Sequence, residues 1–301
     1  MKRFDIVILT DSRYVNPSKT DWYIDQVLLE DDILLKALEK EGLVVTKKDW
    51  ADKTFDWEST KYAIFRTTWD YFERFHEFFK WIEETKKKTN FINSQEIINW
   101  NIDKHYLKEL EKNDINIAPT LFIEKNQQVT LKELFEKTKY KEAVIKPAIS
   151  GAARHTYKIS PTNYIKYEST FQKLISQECM LFQEFLNNIE SKGEISLIFI
   201  GEKYTHAVKK IAKKGDFRVQ DDHGGRVEPY KPNLKEVLFA KKCMQAMPFT
   251  PIYARIDIVY DNLNNPSLSE LELIEPELWF RNCHKAAEIL AKDIATLISY
   301  K

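Results

Sequence analysis

The chain has 301 residues, 43% of them hydrophobic and 31% charged, which is typical of a folded protein of roughly two or three compact units. Its 46 basic residues balance 46 acidic ones, without the basic excess expected of a protein that holds nucleic acid. No run of about 18 apolar residues could span a membrane. Three widely separated cysteines predict free thiols rather than disulfides or a zinc site, so we expect a cytoplasmic protein.

Strand and helix patterns alternate through the first part of the chain. The apolar run at residues 4–9 predicts a buried strand, and apolar residues at helical spacing then predict a helix that ends before Gly42. Further strands are predicted at 43–46 and 62–66. This alternation predicts a small α/β unit with a mostly parallel sheet, over residues 1–93.

Two loops follow strand ends in this first unit, and ligands tend to bind at such ends. Their side chains are therefore candidates for a substrate site: Arg13, Arg66, Trp69, Asp70 and Tyr71. The alternative is a packing corner in which Trp69 and Tyr71 only fill the core.

Strand-rich segments broken by isolated helices make up the rest of the chain. Strands are predicted at residues 141–147, 180–185, 194–200, 203–210, 254–260 and 268–274. Helices are predicted at 104–112, 131–137, 234–247 and 283–299. The pattern predicts an α+β region in two lobes, which we divide into domains at 94–186 and 187–301.

Three carboxylates near the C-terminus form the strongest cluster. If the strands that carry them are antiparallel neighbours, alternation places Glu270 and Glu272 on one face, with Asp257 across the pair. Converging carboxylates are unfavourable unless a cation neutralises them, and hard oxygen ligands favour magnesium. An acidic face exposed to solvent would give the same spacing.

Two further segments suit a nucleotide. Lys146 ends an apolar strand, and the loop of small residues after it holds Ser150, Gly151 and Arg154, a combination that can surround phosphate with a cation and backbone N–H groups. A strand at residues 181–186 could offer backbone groups to an adenine edge. Each segment alone is equally consistent with an ordinary strand and its loop.

Taken together, these segments resemble the ATP-grasp superfamily, in particular its bacterial glutathione synthetase and ribosomal-protein glutamate ligase branches. The match runs in order over roughly residues 94–280. It implies the ATP-grasp fold, ATP as substrate, and magnesium, as two ions for which manganese can substitute.

The resemblance also assigns roles. It implies nucleotide contacts by an early lysine, the K-P lysine and its loop, and the adenine hinge, which are Lys104, Lys146, Ser150, Gly151, Arg154, Gln183, Glu184, Phe185, Leu186 and Glu194. It implies magnesium ligands at Asp257, Glu270 and Glu272. Basic and amide side chains facing the phosphates and acyl phosphate would be Lys210, Arg218, Gln220 and Arg255. For Arg218 a surface salt bridge is the alternative.

The sequence departs from the family at three of these positions. The loop at residues 150–153 has fewer glycines than usual, with Arg154 as a possible compensation. Glu272 stands where asparagine is usual, and Lys210 replaces an arginine and so lacks its bidentate fork.

A narrower resemblance covers the front half, through the segments at residues 66–71, 100–104, 119–120 and 272–276. These are similar to a bacterial group that includes the O-ureido-serine cyclo-ligase of cycloserine biosynthesis. The resemblance implies an enzyme that activates a small amino-acid-like carboxylate as an acyl phosphate and joins it to a nucleophile, and relatives are often homo-oligomers. A carboxylate kinase or a non-catalytic nucleotide-binding module would need the same phosphate and metal residues.

Overall fold

The computed structural model describes residues 2–213, 215–219 and 224–299, and it contains three β-sheets with helices packed around them. No helix in these described ranges has both the length and the apolar character needed to cross a membrane.

Four parallel strands form the first sheet, in the order β2–β1–β3–β4. They are β1 (Phe4–Thr10), β2 (Val45–Asp49), β3 (Thr60–Thr67) and β4 (Asn90–Ile92). The helices of this unit are α1 (Trp22–Lys40) and α2 (Phe75–Thr85). Strands β1 and β3 are buried along most of their length, because helices cover a parallel sheet on both faces, and their sequences are therefore apolar runs. The predicted parallel α/β unit is confirmed.

A second, antiparallel sheet has the order β5–β8–β6–β7. Its strands are β5 (Thr120–Ile123), β6 (Ala143–Pro147), β7 (Tyr157–Ile159) and β8 (Met180–Glu184). Two helices cover it, α5 (Leu131–Thr138) and α6 (Ile165–Ile175). Sequence analysis did not predict β5, β7 or α6, since strands of four and three residues are too short to show a period of two.

The third sheet has five antiparallel strands in the order β11–β10–β9–β12–β13. They are β9 (Glu194–Ile200), β10 (Lys203–Ile211), β11 (Arg226–Tyr230), β12 (Tyr253–Tyr260) and β13 (Pro266–Glu272). The remaining helices are α3 (Gln95–Asn101), α4 (Tyr106–Lys112), α7 (Asn188–Lys192), α8 (Leu234–Ala246) and α9 (His284–Ser299).

Two helices, α4 and α9, pack against parts of the chain that lie outside the domains predicted to contain them. Leu107 and Leu110 of α4 share one apolar core with Leu197 of β9, so α4 packs with the third sheet rather than with the small lobe. Helix α9 packs along α1, where Leu290 joins the core that contains Leu34. Each helix buries its apolar stripe in a core that includes residues of the third sheet.

Candidate active site

A cleft of about 660 Å³ is lined by residues of the second and third sheets and by loops that follow strands of the first sheet. Arg13 follows β1, Lys146 lies in β6, and Asp257 lies in β12. The side chains that the sequence singled out from distant parts of the chain therefore meet in one place.

Asp257 lies at the centre of the buried charges on one wall of this cleft and is 1% exposed. Its carboxylate accepts hydrogen bonds from Ser196 Oγ at 2.6 Å, from Lys210 Nζ at 3.1 Å and from Arg255 Nη2 at 2.9 Å. Burial alone would raise its pKa, but Arg255 and Lys210 outweigh burial and lower the pKa to about 2. Asp257 is therefore a carboxylate at neutral pH.

The predicted pairing of the other two carboxylates is confirmed. Asp257 lies opposite Glu270 in the β12–β13 pair, and Arg255 lies opposite Glu272. Glu270 pairs with Lys104 at 2.9 Å. Burial raises the pKa of Glu270, but the charges of Lys104 and Lys146 outweigh burial, and the pKa is lowered overall. Glu272 contacts the Arg255 guanidinium.

The pKa of Glu272 is shifted in the opposite direction to those of Asp257 and Glu270. Its pKa is raised to about 8 by burial and by the carboxylates of Glu270 and Asp257, against the opposing charge of Arg255. Across the described part of the chain, no three Asp, Glu, His or Cys side chains are grouped as a ready metal site. The protein's own cations contact these carboxylates, and of the three only Glu272 has a raised pKa.

The lysines predicted for the nucleotide lie in the cleft. Lys104 Nζ donates to the Ser150 carbonyl at 2.7 Å and so ties the loop after β6 to the wall that carries Glu270. Lys146 is half-buried, and desolvation lowers its pKa against the opposing charge of Glu270. Both lysines line the cleft and interact with Glu270.

The loop after β6 adopts an unusual backbone conformation. Ala152, Ala153 and His155 have φ values of 46°, 52° and 50°, in the left-handed region that glycine favours. A Cβ on Gly151 would lie 2.7 Å from the Phe72 ring, so this position needs glycine because the loop packs closely on the first unit.

Arg154 lines the cleft, but its guanidinium also has a structural partner. Nη1 donates to Glu178 at 3.1 Å, and Nη2 donates to the Ile149 carbonyl at 3.3 Å. The side chain fixes the loop to the segment before β8, which gives it a role other than replacing missing glycines.

Part of the backbone of the predicted adenine hinge is already hydrogen-bonded within the protein. Strand β8 lies between β5 and β6, and Gln183 is paired on both sides, so its backbone is not offered to a ligand. The N–H groups of Glu184 and Phe185 also donate within the protein, at 2.8 and 3.0 Å. All four hinge side chains through Leu186 nevertheless line the cleft.

The other predicted cleft residues lie there as well. Glu194 is buried beside Lys210. Arg218 lines the cleft, and it also forms the predicted alternative, a salt bridge with Asp216 at 2.7 Å. Gln220 lies outside the described residues.

Three of the five substrate candidates line the cleft, and two do not. Arg13 is held by Asp11 through Nε at 2.9 Å and Nη2 at 2.6 Å. Trp69 Nε1 donates to the Glu275 carbonyl at 3.1 Å, and the Tyr71 hydroxyl hydrogen-bonds the Glu275 carboxylate. These three residues border the same end of the cleft as Glu275.

Arg66 and Asp70 are bound elsewhere. Arg66 is 1% exposed, lies 3.8 Å from Glu30, and its guanidinium lies 5.5 Å from the Phe280 ring centre. Asp70 accepts from Trp50 Nε1 at 2.7 Å and Arg74 Nη1 at 2.8 Å. Neither residue lines this cleft: Asp70 is bound within the first unit, and Arg66 lies beside Glu30 and Phe280.

Sequence reasoning gave no role to three cleft residues after β13: Glu275, Glu277 and Trp279. Burial raises the pKa of Glu275 to about 7 although Tyr71 lowers it. The acidic run from Glu270 to Glu277 beside a tryptophan was the available signal.

Comparison with known proteins agrees with this architecture. Residues 103–273, more than half of the chain, match the RimK-like ATP-grasp domain family, and residues 6–93 match the N-terminal domain of D-cycloserine synthetase DcsG. The chain therefore belongs to the RimK-like ATP-grasp family, and it is a ligase of the ATP-grasp class. This family generally uses ATP and magnesium.

Particular relatives can be named. The cycloserine biosynthesis protein DcsG of Streptomyces lavendulae is 24% identical over 259 residues, which is 81% of this chain and 86% of the relative. The crystal structure of D-cycloserine synthetase DcsG superposes with a TM-score of 0.85 at 20% identity, covering 97% of this chain and 99% of that one. D-alanine–D-alanine ligase from Bacillus anthracis gives 0.66 at 13% identity, with 99% of both chains covered.

Proposed function

We propose that the protein activates the carboxylate of a small amino-acid-like substrate with ATP and magnesium and joins it to a nitrogen nucleophile. The observation that supports this most is the single cleft. It brings the cations expected to bind phosphate, the carboxylates expected to bind metal, and the Arg13 end together. Such a cleft lets two substrates react without leaving the protein.

The nucleotide would lie between the second and third sheets. Lys104 and Lys146 would contact its phosphates, together with the loop at residues 150–154. The side chains of residues 183–186 would contain the adenine, and Glu194 would lie beside them. Lys158 Nζ lies 3.6 Å from the Phe185 ring centre and so contacts the hinge.

The carboxylate set fits magnesium. Asp257, Glu270 and Glu272 offer the hard oxygen donors that magnesium prefers, and a divalent ion bound there would favour the charged form of Glu272, whose pKa burial and the neighbouring carboxylates raise. We propose two magnesium ions held by these three residues, with manganese able to substitute. When bound, the ions would neutralise the charge of the transferring phosphoryl group.

The reaction consists of two displacements. A substrate carboxylate oxygen attacks the γ-phosphorus of ATP, and the bond to the β-phosphate oxygen breaks with its electron pair leaving on ADP. A nitrogen then attacks the acyl carbon and loses a proton, and phosphate leaves with the electron pair of the acyl–oxygen bond. Arg255, Lys210 and Arg218 would stabilise the negative charge that develops in both steps.

The substrate class follows from the Arg13 end of the cleft and from the relatives. Arg13 can bind a carboxylate, and Glu275 and Glu277 can bind an ammonium group. The relatives named for cycloserine suggest an O-ureido-serine-like substrate that would close a ring, and D-alanine ligase suggests joining of two amino acids. We propose ring closure of a small amino acid derivative, with assembly as a homo-oligomer.

The test is magnesium-dependent ADP release from ATP against O-ureido-serine, D-alanine, D-serine and a panel of amino acids, with products identified by mass spectrometry. We expect ADP and phosphate in equal amounts together with a dehydrated product. ADP formation with only a trapped acyl phosphate, even when an amine is added, would identify a carboxylate kinase. Absence of ATP binding would contradict the proposal.

A further inference from the structure

The segment after β13 borders the cleft and contains a strained residue. Trp279 has φ 47° and ψ 45°, a left-handed conformation that is rare for a bulky side chain. Such a conformation is unfavourable and persists only when surrounding contacts hold it. Trp279 is also 2% exposed, so its position is fixed by packing.

Trp279 in turn contacts the cations assigned to the reaction. The Arg255 guanidinium lies 5.1 Å and Lys210 Nζ 5.8 Å from its ring centre, within the range of cation–π attraction. Arg255 Nη1 also donates to the Glu277 carbonyl at 3.4 Å. A shift of this segment would therefore move the two cations that hold Asp257.

His206 of β10 hydrogen-bonds the Leu278 carbonyl of this segment at 2.9 Å, and further contacts come from the first unit. Glu30 of α1 is 2% exposed, and its Oε1 accepts the Phe280 N–H at 2.9 Å. Its Oε2 accepts the Arg281 N–H at 3.4 Å and lies 3.7 Å from Arg281 Nη1. Arg281 also binds the Glu277 carboxylate. One carboxylate thus binds the two residues directly after Trp279.

We infer that Glu30 is a positioning residue for the ligase reaction: it clamps the segment at residues 277–281 and thereby sets Trp279 beneath Arg255 and Lys210. The inference rests on the proposed function for its catalytic consequence. A carboxylate at 2% exposure is unfavourable without charged and N–H partners, and Arg66, Arg281 and two backbone N–H groups supply them here.

The test uses Glu30→Ala, which removes both acceptors, and Glu30→Gln, which keeps one acceptor oxygen and loses the charge. The matched control is Asp31→Asn. Asp31 is the next residue on α1 and is also 2% exposed, but its carboxylate pairs with Lys47 at 3.4 Å. Asp31 has no hydrogen bond to the segment among the described residues. The loss of its carboxylate therefore reports only the cost of altering a buried carboxylate on α1.

The kinetic readout is kcat, together with the KM for ATP and the KM for the second substrate. Each KM is measured by varying one substrate while the other is saturating. We expect kcat to fall about 10- to 100-fold in Glu30→Ala, as small misplacements of catalytic groups do, with the KM for ATP unchanged. Glu30→Gln should restore part of kcat, and Asp31→Asn should keep it. An equal loss of kcat in Asp31→Asn, or an unchanged kcat in Glu30→Ala, would overturn the inference.

A second readout does not depend on turnover. The indole N–H signal of Trp279, assigned with Trp279→Phe in a ¹⁵N-labelled sample, should shift in Glu30→Ala and stay in place in Asp31→Asn. An unmoved signal in Glu30→Ala would overturn the clamp itself. Failure of the wild-type protein to turn over any substrate would instead overturn the proposed function.

Discussion

Two buried charge networks in this protein use the same residue types and behave in opposite ways. The cleft network consists of Asp257, Arg255, Lys210 and Glu194. The α1 network consists of Glu30, Asp31, Lys47, Arg66 and Arg281. Both join strands or helices that are far apart in sequence, and both are almost closed to solvent.

The cleft network is tightly paired. Asp257 has three direct donors within 3.1 Å, and their charges lower its pKa to about 2 although it is 1% exposed. The charged form is therefore favoured far below neutral pH.

The α1 network is loosely paired. Its ion pairs measure 3.4 Å between Lys47 and Asp31, 3.7 Å between Arg281 and Glu30, and 3.8 Å between Arg66 and Glu30. Among the described residues, Arg66 Nε and Nη1 and Asp31 Oδ1 have no hydrogen-bond partner. Burial then outweighs the attraction of Arg66, and the pKa of Glu30 rises to about 7.

For Asp257 and Glu30, the number of close donors, and not burial alone, decides whether the carboxylate keeps its charge at neutral pH. The charge of Asp257 is fixed across the physiological range. Charge beside α1 titrates within it.

The largest effect is expected from neutralising the centre of the cleft network. In Asp257→Asn we predict a loss of ADP release of about 10³-fold or more, because a metal ligand and the partner of two cations are lost together. The check is initial rate at saturating ATP, with Asp31→Asn as the control for a buried carboxylate outside the cleft. Activity above a tenth of wild type would show that Asp257 is not part of the metal site.

A smaller effect is expected from changing geometry without charge. Arg255→Lys keeps the cation but loses the fork that reaches Asp257, Glu272 and the Glu277 carbonyl, so we predict a fall in kcat of about 10²-fold. Arg74→Lys, at a half-exposed arginine outside the cleft, should leave kcat unchanged. Equal activity of the two variants would mean that only charge matters at position 255.

The titration of Glu30 in the α1 network should make the free energy of unfolding depend on pH. A native carboxyl with a pKa of about 7 binds more protons than an unfolded one with a pKa of 4.5, so the free energy of unfolding falls as pH rises between these values. Removing this titration in Glu30→Gln should flatten the fall, by an amount on the order of 3 kcal/mol between pH 4.5 and 8. Urea unfolding at each pH measures the difference, and parallel curves for the two proteins would contradict it.

The smallest effect is expected in the loop after β6, which belongs to neither network. Ala153→Gly relieves a left-handed alanine that costs about 1–2 kcal/mol, partly offset by the greater freedom of glycine in the unfolded chain. We predict a stability gain below about 1 kcal/mol and kcat within about threefold of wild type. Ala148→Gly, at a buried alanine with ordinary backbone, should instead destabilise, and a loss in both variants would contradict the strain argument.

The sequence predicted the elements and pairings that follow from local pattern. Apolar runs predict β1 and β3, and the period of two in β13 places Glu270 and Glu272 on one face opposite β12. The site residues on these strands lie where alternation puts them. The family resemblance could likewise be recognised from local pattern, because each of its motifs is a short continuous segment.

Contacts between distant segments could not be predicted. Lys104 meets Glu270 only because α4 packs on the third sheet, and Arg66 turns to Glu30 and Phe280 instead of the cleft. The clamp on Trp279 joins residues about 250 positions apart, which no local pattern records. The central position of β8 likewise depended on β5, a strand too short to predict.

The measurement that tests the central claim most directly is the transfer of oxygen from the substrate carboxylate to phosphate. The substrate identified in the activity panel would be labelled with ¹⁸O in its carboxylate, and the phosphate released during turnover would be analysed by mass spectrometry. Activation as an acyl phosphate predicts one ¹⁸O atom in each phosphate. Unlabelled phosphate released alongside the joined product would contradict the account.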